Sequence, residues 1–206
     1  MRILGRISSI NVRKVLWTCD EAGLPYRRED WGVGFKSVHS PEFLALNPFA
    51  LIPVLVDGEV VVRESNSICR YVAGKAKRDD LLPADPARRA AVEQWMDWQA
   101  TDFNSAWNYA FLALVRKNPA YTNPAEIAKS LAEWDRLVGL LDEHLAGGGP
   151  YMTGQDFTLA DIVIGLSIHR WRETPHDHPN LPAVKAYYDL LRRRPAFVKW
   201  GPESGA

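Results

Sequence analysis

A proline stands directly before the β-prone run Val54-Leu55-Val56, and it restricts the fold of this chain more than any other residue. Proline has no N–H to give to a sheet ladder, so Pro53 belongs at the first position of its strand or on an edge. A cis Ile52-Pro53 bond, a geometry found in about 5% of X-Pro bonds, would leave the Ile52 N–H and C=O open to pair with an extended ligand backbone. Eleven residues beyond the proline, Glu64-Ser65-Asn66 reads as a helix start, where free amides suit a carboxylate.

Strand and helix signals alternate around this point. Ile3-Leu4 is a short strand, and Val12, Val15, Leu16 and Cys19 recur at helical spacing until Gly23 and Pro25 end the run. Residues 26–30 read as a second strand and residues 41–46 as a short helix. Residues 54–62 read as a hairpin about a type I′ turn at Asp57-Gly58. A helix over residues 65–73 then ends at Gly74. The order βαβ, crossing helix, ββα forces an α/β unit with a mixed sheet.

After Gly74 the composition turns charged, and Leu81-Leu82-Pro83-Ala84-Asp85-Pro86 is a proline-bracketed connection. The expected organisation is a first domain over residues 1–78, a connection over 79–86, and an all-helical domain over 87–206. In the second domain Val92, Trp95, Met96, Phe103, Ala106, Trp107, Ala110 and Leu114 trace one face of a single long helix, with Tyr109 and Phe111 off that face. A second helix carries Ile127, Leu131, Trp134, Val138, Leu141 and Leu145, and stops at Gly147-Gly148-Gly149-Pro150. Thr158 and Asp161 are spaced as a capping box, with Phe157 and Ile162 as its staple; capping accounts for the acidic residue without catalysis. A further helix covers residues 182–193, and residues 201–206 read as a loose tail.

Composition excludes whole classes of partner. Lys plus Arg and Asp plus Glu both number 25 among 206 residues, so no field of one sign draws in nucleic acid or an anionic membrane. A neutral small molecule or a zwitterion fits better. No apolar leader opens the chain and no run approaches the ~18 residues of a membrane span, which points to the cytoplasm. Cys19 and Cys69 form no C-x-x-C, arguing against a disulfide scaffold, a zinc site or a dithiol centre; both fall on apolar helix faces. His176-Asp177-His178 has no third ligand at matching spacing and reads as a solvated loop rather than a metal site.

Four segments together resemble the glutathione S-transferase superfamily, nearly end to end. They are Ser8-Ser9-Ile10-Asn11 after the first strand, Asn47-Pro48-Phe49-Ala50-Leu51-Ile52-Pro53 before the third, Glu64-Ser65-Asn66-Ser67-Ile68 opening a helix, and Thr158 to Asp161 in the second domain. Within that superfamily Asn11-Val12-Arg13-Lys14-Val15 is most similar to bacterial enzymes with an active-site serine or threonine. The resemblance implies a thioredoxin-like domain followed by a helical one, glutathione as co-substrate, no metal, and transfer of the thiol to a small electrophile. A glutathione-dependent disulfide reductase and a non-catalytic binding or interaction module of the same fold are the alternatives.

Read against glutathione, the residues fall into roles. Ser65 offers hydroxyl and N–H to the γ-glutamyl carboxylate and Glu64 accepts from the ammonium. Ile52, held by Pro53, pairs with the cysteinyl backbone, and His39 and Lys36 precede the second helix as donors to the glycyl carboxylate. Ser9, with Ser8 as rival and Asn11 as helper, donates to the thiolate; as N-caps, Ser9, Asn11, Ser65 and Asn66 also have purely structural readings. The electrophile is expected between the domains near Trp107, Tyr109 and Phe111. Relatives often carry glycine and then a polar residue where this chain has Ala50 and Leu51, which removes one side-chain bond to the glycyl end. Phe49 in an exposed turn points to a homodimer.

Overall fold

The computed structural model describes residues 1–205 and divides into two compact units, Met1–Ala84 and the remainder from Asp85. In the first, β1 (Arg2–Leu4), α1 (Ile10–Ala22), β2 (Arg27–Glu29), α2 (Pro41–Leu46), β3 (Val54–Asp57), β4 (Val60–Arg63) and α3 (Ser65–Lys75) follow in order. The sheet runs β2-β1-β3-β4, with β1 parallel to β2 and antiparallel to β3, and β3 antiparallel to β4. The mixed sheet expected from the element order is therefore present.

Strand alternation explains its burial. Leu4 and Val54 face one another in the ladder and share a core with Trp31 and Phe43. Ile3 and Leu55, the next pair, point to the opposite face and are equally buried. Burial of each such side chain contributes about 1.5–3 kcal/mol.

At two places the structure differs from the local sequence expectation. The hairpin places Asp57 opposite Val60, so its two-residue loop is Gly58-Glu59. Gly58 has φ 59° whereas Glu59 is not at positive φ. Type I′ needs positive φ at both central residues, so the turn has instead the glycine-first pattern of type II′. Nor does α3 stop at Gly74: it runs to Lys75 and ends where Lys77 takes φ 55°. There the Arg78 N–H donates to Ala73 O and the Lys77 N–H to Gly74 O, both at 3.0 Å, the paired bonds of a Schellman stop.

The second unit contains α4 (Pro86–Trp98), α5 (Asn104–Leu114), α6 (Pro124–Gly148), α7 (Leu159–Glu173), α8 (Pro182–Leu191) and α9 (Pro195–Trp200). The single long helix expected first is divided by a wide π-helical turn, Gln99–Phe103. Gln99 is fully buried there, donating to Asn104 Oδ1 at 2.9 Å and to Ser167 Oγ at 3.0 Å. Asn104 Oδ1 also accepts from Trp107 Nε1 at 3.1 Å. Tying α7 to the turn through a buried amide holds the extra residue in place. Trp95 is only half-buried, whereas Trp134 is completely enclosed.

Helix α7 is buried from Leu159 to Trp171 and forms the centre of its unit. The capping box expected at its start is present: Asp161 Oδ2 accepts from the Thr158 N–H at 2.8 Å, and Oδ1 accepts from the Met152 N–H at 2.8 Å and the Tyr187 hydroxyl at 3.1 Å. Burial pushes the Asp161 carboxyl up to about 6, against these hydrogen bonds. Within the His176-Asp177-His178 segment, His176 departs from the solvated-loop reading, since its side chain is only 7% exposed and its Nε2 lies 3.0 Å from Asp135 Oδ1 on α6, whereas Asp177 and His178 are exposed. The expected loose tail contains a 3₁₀ turn over Pro202–Ser204, and its last residue, Ala206, lies outside the described residues. No described helix is long and apolar enough to cross a membrane.

Asp161→Ala would strand two buried backbone N–H groups and the Tyr187 hydroxyl. Its expected cost is about 3 kcal/mol or more, read as a fall in the midpoint of chemical denaturation; a change below about 1 kcal/mol would remove Asp161 from its place at the centre of this packing.

Candidate functional site in the first unit

Sheet register gathers the sequence-selected residues at one end of the first unit. Leu4 is paired with Glu29 in β2 and Val54 in β3, and Val54 with Arg63 in β4. The residues that leave these strands, Gly5-Arg6, Asp30-Trp31 and Glu64-Ser65, therefore emerge side by side with the segment entering β3, Ile52-Pro53.

The corner after β1 closes tightly. Gly5 has φ 154°, and a Cβ on it would meet Val12 Cγ2 at 2.5 Å and Ile52 Cβ at 3.3 Å. Only glycine lets the start of α1 come down against the β3 entry. Ser9 then caps α1 through its backbone, with its C=O accepting from the Arg13 N–H at 3.0 Å, while its side chain makes no capping bond. Its hydroxyl is half-buried and uncommitted, whereas Ser8 is engaged within the protein. Asn11 lies partly exposed in the first turn of α1.

The Ile52-Pro53 bond is cis. No described residue bonds to the Ile52 N–H or C=O. The loop leading to it is stapled by Asn47, which is almost fully buried: Nδ2 donates to Leu51 O at 2.8 Å and Oδ1 accepts from the Phe49 N–H at 3.1 Å. Ala50 takes φ 54° in this loop, a conformation that costs a non-glycine residue about 1–2 kcal/mol and gives a physical reason for glycine to be favoured there.

Glu64 stands at φ 63°, ψ 120° as the N-cap of α3, exposed and without a side-chain cap. The first bond of the helix runs from the Ile68 N–H to Glu64 O at 2.9 Å, so the amide of Ser65 is left over as a donor, as at any uncapped helix start. Ser65 itself is 8% exposed. Lys36 and His39 are exposed; Lys36 Nζ lies 5.0 Å from the Trp31 ring centroid, and the His39 N–H donates to Ser37 Oγ at 3.1 Å.

Trp107, Tyr109 and Phe111 fall in the second unit. Phe111 is buried, which corrects the expectation that it lies off the core face of its helix. It and Trp107 hold the Arg170 guanidinium at 4.1 and 4.6 Å from their ring centroids, so both are committed to packing. Tyr109 packs edge-on against Tyr121, and its hydroxyl accepts from the Asn123 N–H at 3.3 Å. Among the described residues no group of three or more His, Cys, Asp or Glu side chains is arranged to hold a metal ion.

Two family models match the chain. Residues 8–75 fit the glutathione S-transferase N-terminal domain and residues 124–200 the C-terminal domain. Glutathione S-transferase GstB of Escherichia coli K12 is 37% identical over 95% of this chain and 94% of its own length. The chain belongs to the glutathione S-transferase family. Glutathione S-transferase 3 of Zea mays is 34% identical, covering 97% of this chain and 92% of that one. The theta class glutathione S-transferase of Xanthomonas axonopodis pv. citri, solved with glutathione bound, superposes with a TM-score of 0.91 at 38% identity, covering 97% and 96% of the two chains.

Neither cysteine of this family member sits at the gathered site. Both are buried, and burial pushes the Cys19 thiol up to about 12 and Cys69 to about 11. Unfolded thiols titrate near about 8.5, so the native state binds the proton more tightly. The stability this gives is complete below about pH 8.5 and is lost as pH rises through the native values. Native protein at pH 8 is expected to leave Ellman's reagent unreacted while denatured protein releases two equivalents, and the denaturation midpoint should fall between pH 8 and pH 10.5. Rapid native labelling would contradict the buried placement.

Proposed function

We propose that this protein is a glutathione transferase of the bacterial serine or threonine type, in which Ser9 stabilises the thiolate of bound glutathione for attack on a small electrophile. The observation that carries the reading is an unpaired main-chain edge at Ile52, set beside the uncapped start of α3 and an uncommitted Ser9 hydroxyl. That combination suits a short zwitterionic peptide bearing a thiol. The glutathione bound to the Xanthomonas relative supports the choice of peptide.

In this reading Ser65 gives hydroxyl and N–H to the γ-glutamyl carboxylate, with the helix-end field behind it. Glu64 accepts from the ammonium. A non-glycine residue held at φ 63° is the kind of backbone strain that collects at ligand clamps. Ile52 pairs with the cysteinyl backbone through its N–H and C=O, its geometry set by Pro53, and Lys36 and His39 serve the glycyl carboxylate.

Ser9 is far too weak a base to take the thiol proton, which passes to solvent; its role is to donate to the sulfur once charged. A hydrogen bond to an ion contributes about 1.5–3 kcal/mol and a pKa unit is worth about 1.4 kcal/mol, so one donor lowers the thiol by roughly one to two units. From about 8.5 that brings the thiol to roughly 6.5–7.5, raising thiolate at pH 7 from a few per cent to roughly a quarter to three-quarters. Asn11 orients the hydroxyl or adds a second donor. The sulfur then supplies the electron pair of the new bond to the electrophile.

Phe49 is 68% exposed, and Gln94, Trp95, Trp98, Leu140 and Leu141 line an apolar recess of about 390 Å³; a second copy of the chain, seating Phe49 in that recess, supplies the occupant of a homodimer. Two buried free thiols suit the reducing cytoplasm.

Calorimetric titration with glutathione, with thiolate absorbance followed against pH, tests the chemistry. Wild type should bind glutathione and lower its thiol pKa, while Ser9→Ala should bind with similar affinity and raise that pKa by about one to two units. Absence of binding would sink the glutathione reading, and an unchanged pKa would sink the role of Ser9. For the dimer, sedimentation should give twice the chain mass for wild type and a monomer for Phe49→Asp; a wild-type monomer would end that part of the proposal.

A further inference from the structure

Arg6 follows Gly5 at the gathered end of the sheet and belongs to none of the glutathione contacts above. Its Nη1 donates to the Val33 carbonyl at 3.2 Å. Its stem lies across Gly32: a Cβ there would stand 3.6 Å from Arg6 Cδ, 3.7 Å from Arg6 Nε and 3.5 Å from Ile52 Cδ1. The same glycine is thus covered by Arg6 and by the side chain of the residue that presents the open main-chain edge. Arg6 Nε is shut off from solvent with no hydrogen-bond partner, an arrangement that hydrogen bonding alone would not favour.

What Arg6 holds is a small loop. Trp31 and Lys36 bridge across it, the Gly32 N–H donates to Lys36 O at 2.8 Å, and the Phe35 N–H donates to Gly32 O at 2.9 Å. Trp31 roots one end in the core. The tip has no such root: Val33 is 78% exposed and Phe35 56%, and Gly32 and Gly34 sit at φ 106° and 88°, where glycine keeps the chain compliant. The bond from Arg6 to the Val33 carbonyl fastens this tip to the corner between β1 and α1.

We infer that Arg6 is a positioning residue for the glycyl end of the glutathione site: it latches the loop of residues 31–36 against the Ile52 edge and so sets where Lys36 stands. This rests on the glutathione reading. Arg6 acts through the loop and touches neither the γ-glutamyl nor the thiol end of the ligand. Its effect is therefore confined to the terminal carboxylate.

That confinement is the test. Glutathione and γ-glutamylcysteine differ only by the glycine, and their dissociation constants are compared by calorimetry on wild type, Arg6→Ala and Arg6→Lys. Arg6→Ala is expected to weaken glutathione about tenfold, which is about 1.4 kcal/mol, while γ-glutamylcysteine changes less than about twofold on the same scale. Arg6→Lys keeps a cation without the fork and should recover part of the loss, and the thiol pKa of bound glutathione should stay at the wild-type value. If Arg6→Ala does not fold, Gly32→Ala, which strains the loop at φ 106° beneath Arg6 and keeps the charge, takes its place with the same selective loss expected. Equal loss for both thiols, or loss for neither, overturns the latch with the glutathione reading intact. A wild type that binds neither thiol overturns both.

Discussion

The antiparallel pairing of β3 with β1 and β4 is the constraint on which the first unit depends. With Leu4 opposite Val54 and Val54 opposite Arg63, the segments leaving β1 and β4 must flank the segment entering β3. A one-residue slip would turn Leu4 and Val54 out of the core they share with Trp31 and Phe43 and would separate Ile52 from Glu64-Ser65 at the same stroke. Core and candidate site are thus fixed by one register. Gly5 completes it, since any side chain there would drive Val12 and Ile52 apart.

The candidate site is built largely from backbone. Ile52 offers its main chain, α3 its first amides, and α1 the end of a helix beneath Ser9. Groups of this kind cost little reorganisation when charge arrives, because the surrounding helices and strands already hold them. Side chains at the margins do other work: Asn47 staples the loop before Pro53, while the two cysteines are buried elsewhere in the unit and pushed toward the neutral thiol by that burial. In the second unit Asp161 ties its helix start to Met152 and Tyr187, a structural use of an acid that would look catalytic by type alone.

Elements governed by local rules were legible in the sequence. Helices α1 and α2, the strand at Val54, the capping box at Thr158 and the mixed order of the sheet follow from periodicity, punctuation and capping chemistry, which act over a few residues. The misread places are those where distant partners decide. A buried Gln99 bonded to Ser167, 68 residues away, holds the π turn that interrupts an otherwise regular apolar stripe. Asp135 on α6 draws His176 into the packing, and Arg170 on α7 claims Phe111 and Trp107. Lys77, not Gly74, ends α3, because the stop depends on which residue reaches the left-handed conformation rather than on where glycine stands.

For the site itself, sequence alone determined the residue types and their order: a serine at the head of α1, a proline before a strand, an acid and a serine at the head of α3. Those are chemical identities, written once and unchanged by folding. Tertiary structure alone decided that the Ser9 hydroxyl is uncommitted while Ser8 is engaged, that the Ile52 edge is unpaired, and that Arg6 reaches across to Val33. Each of these is a matter of which partners stand within hydrogen-bond distance, and that distance is set by a sheet joining segments dozens of residues apart.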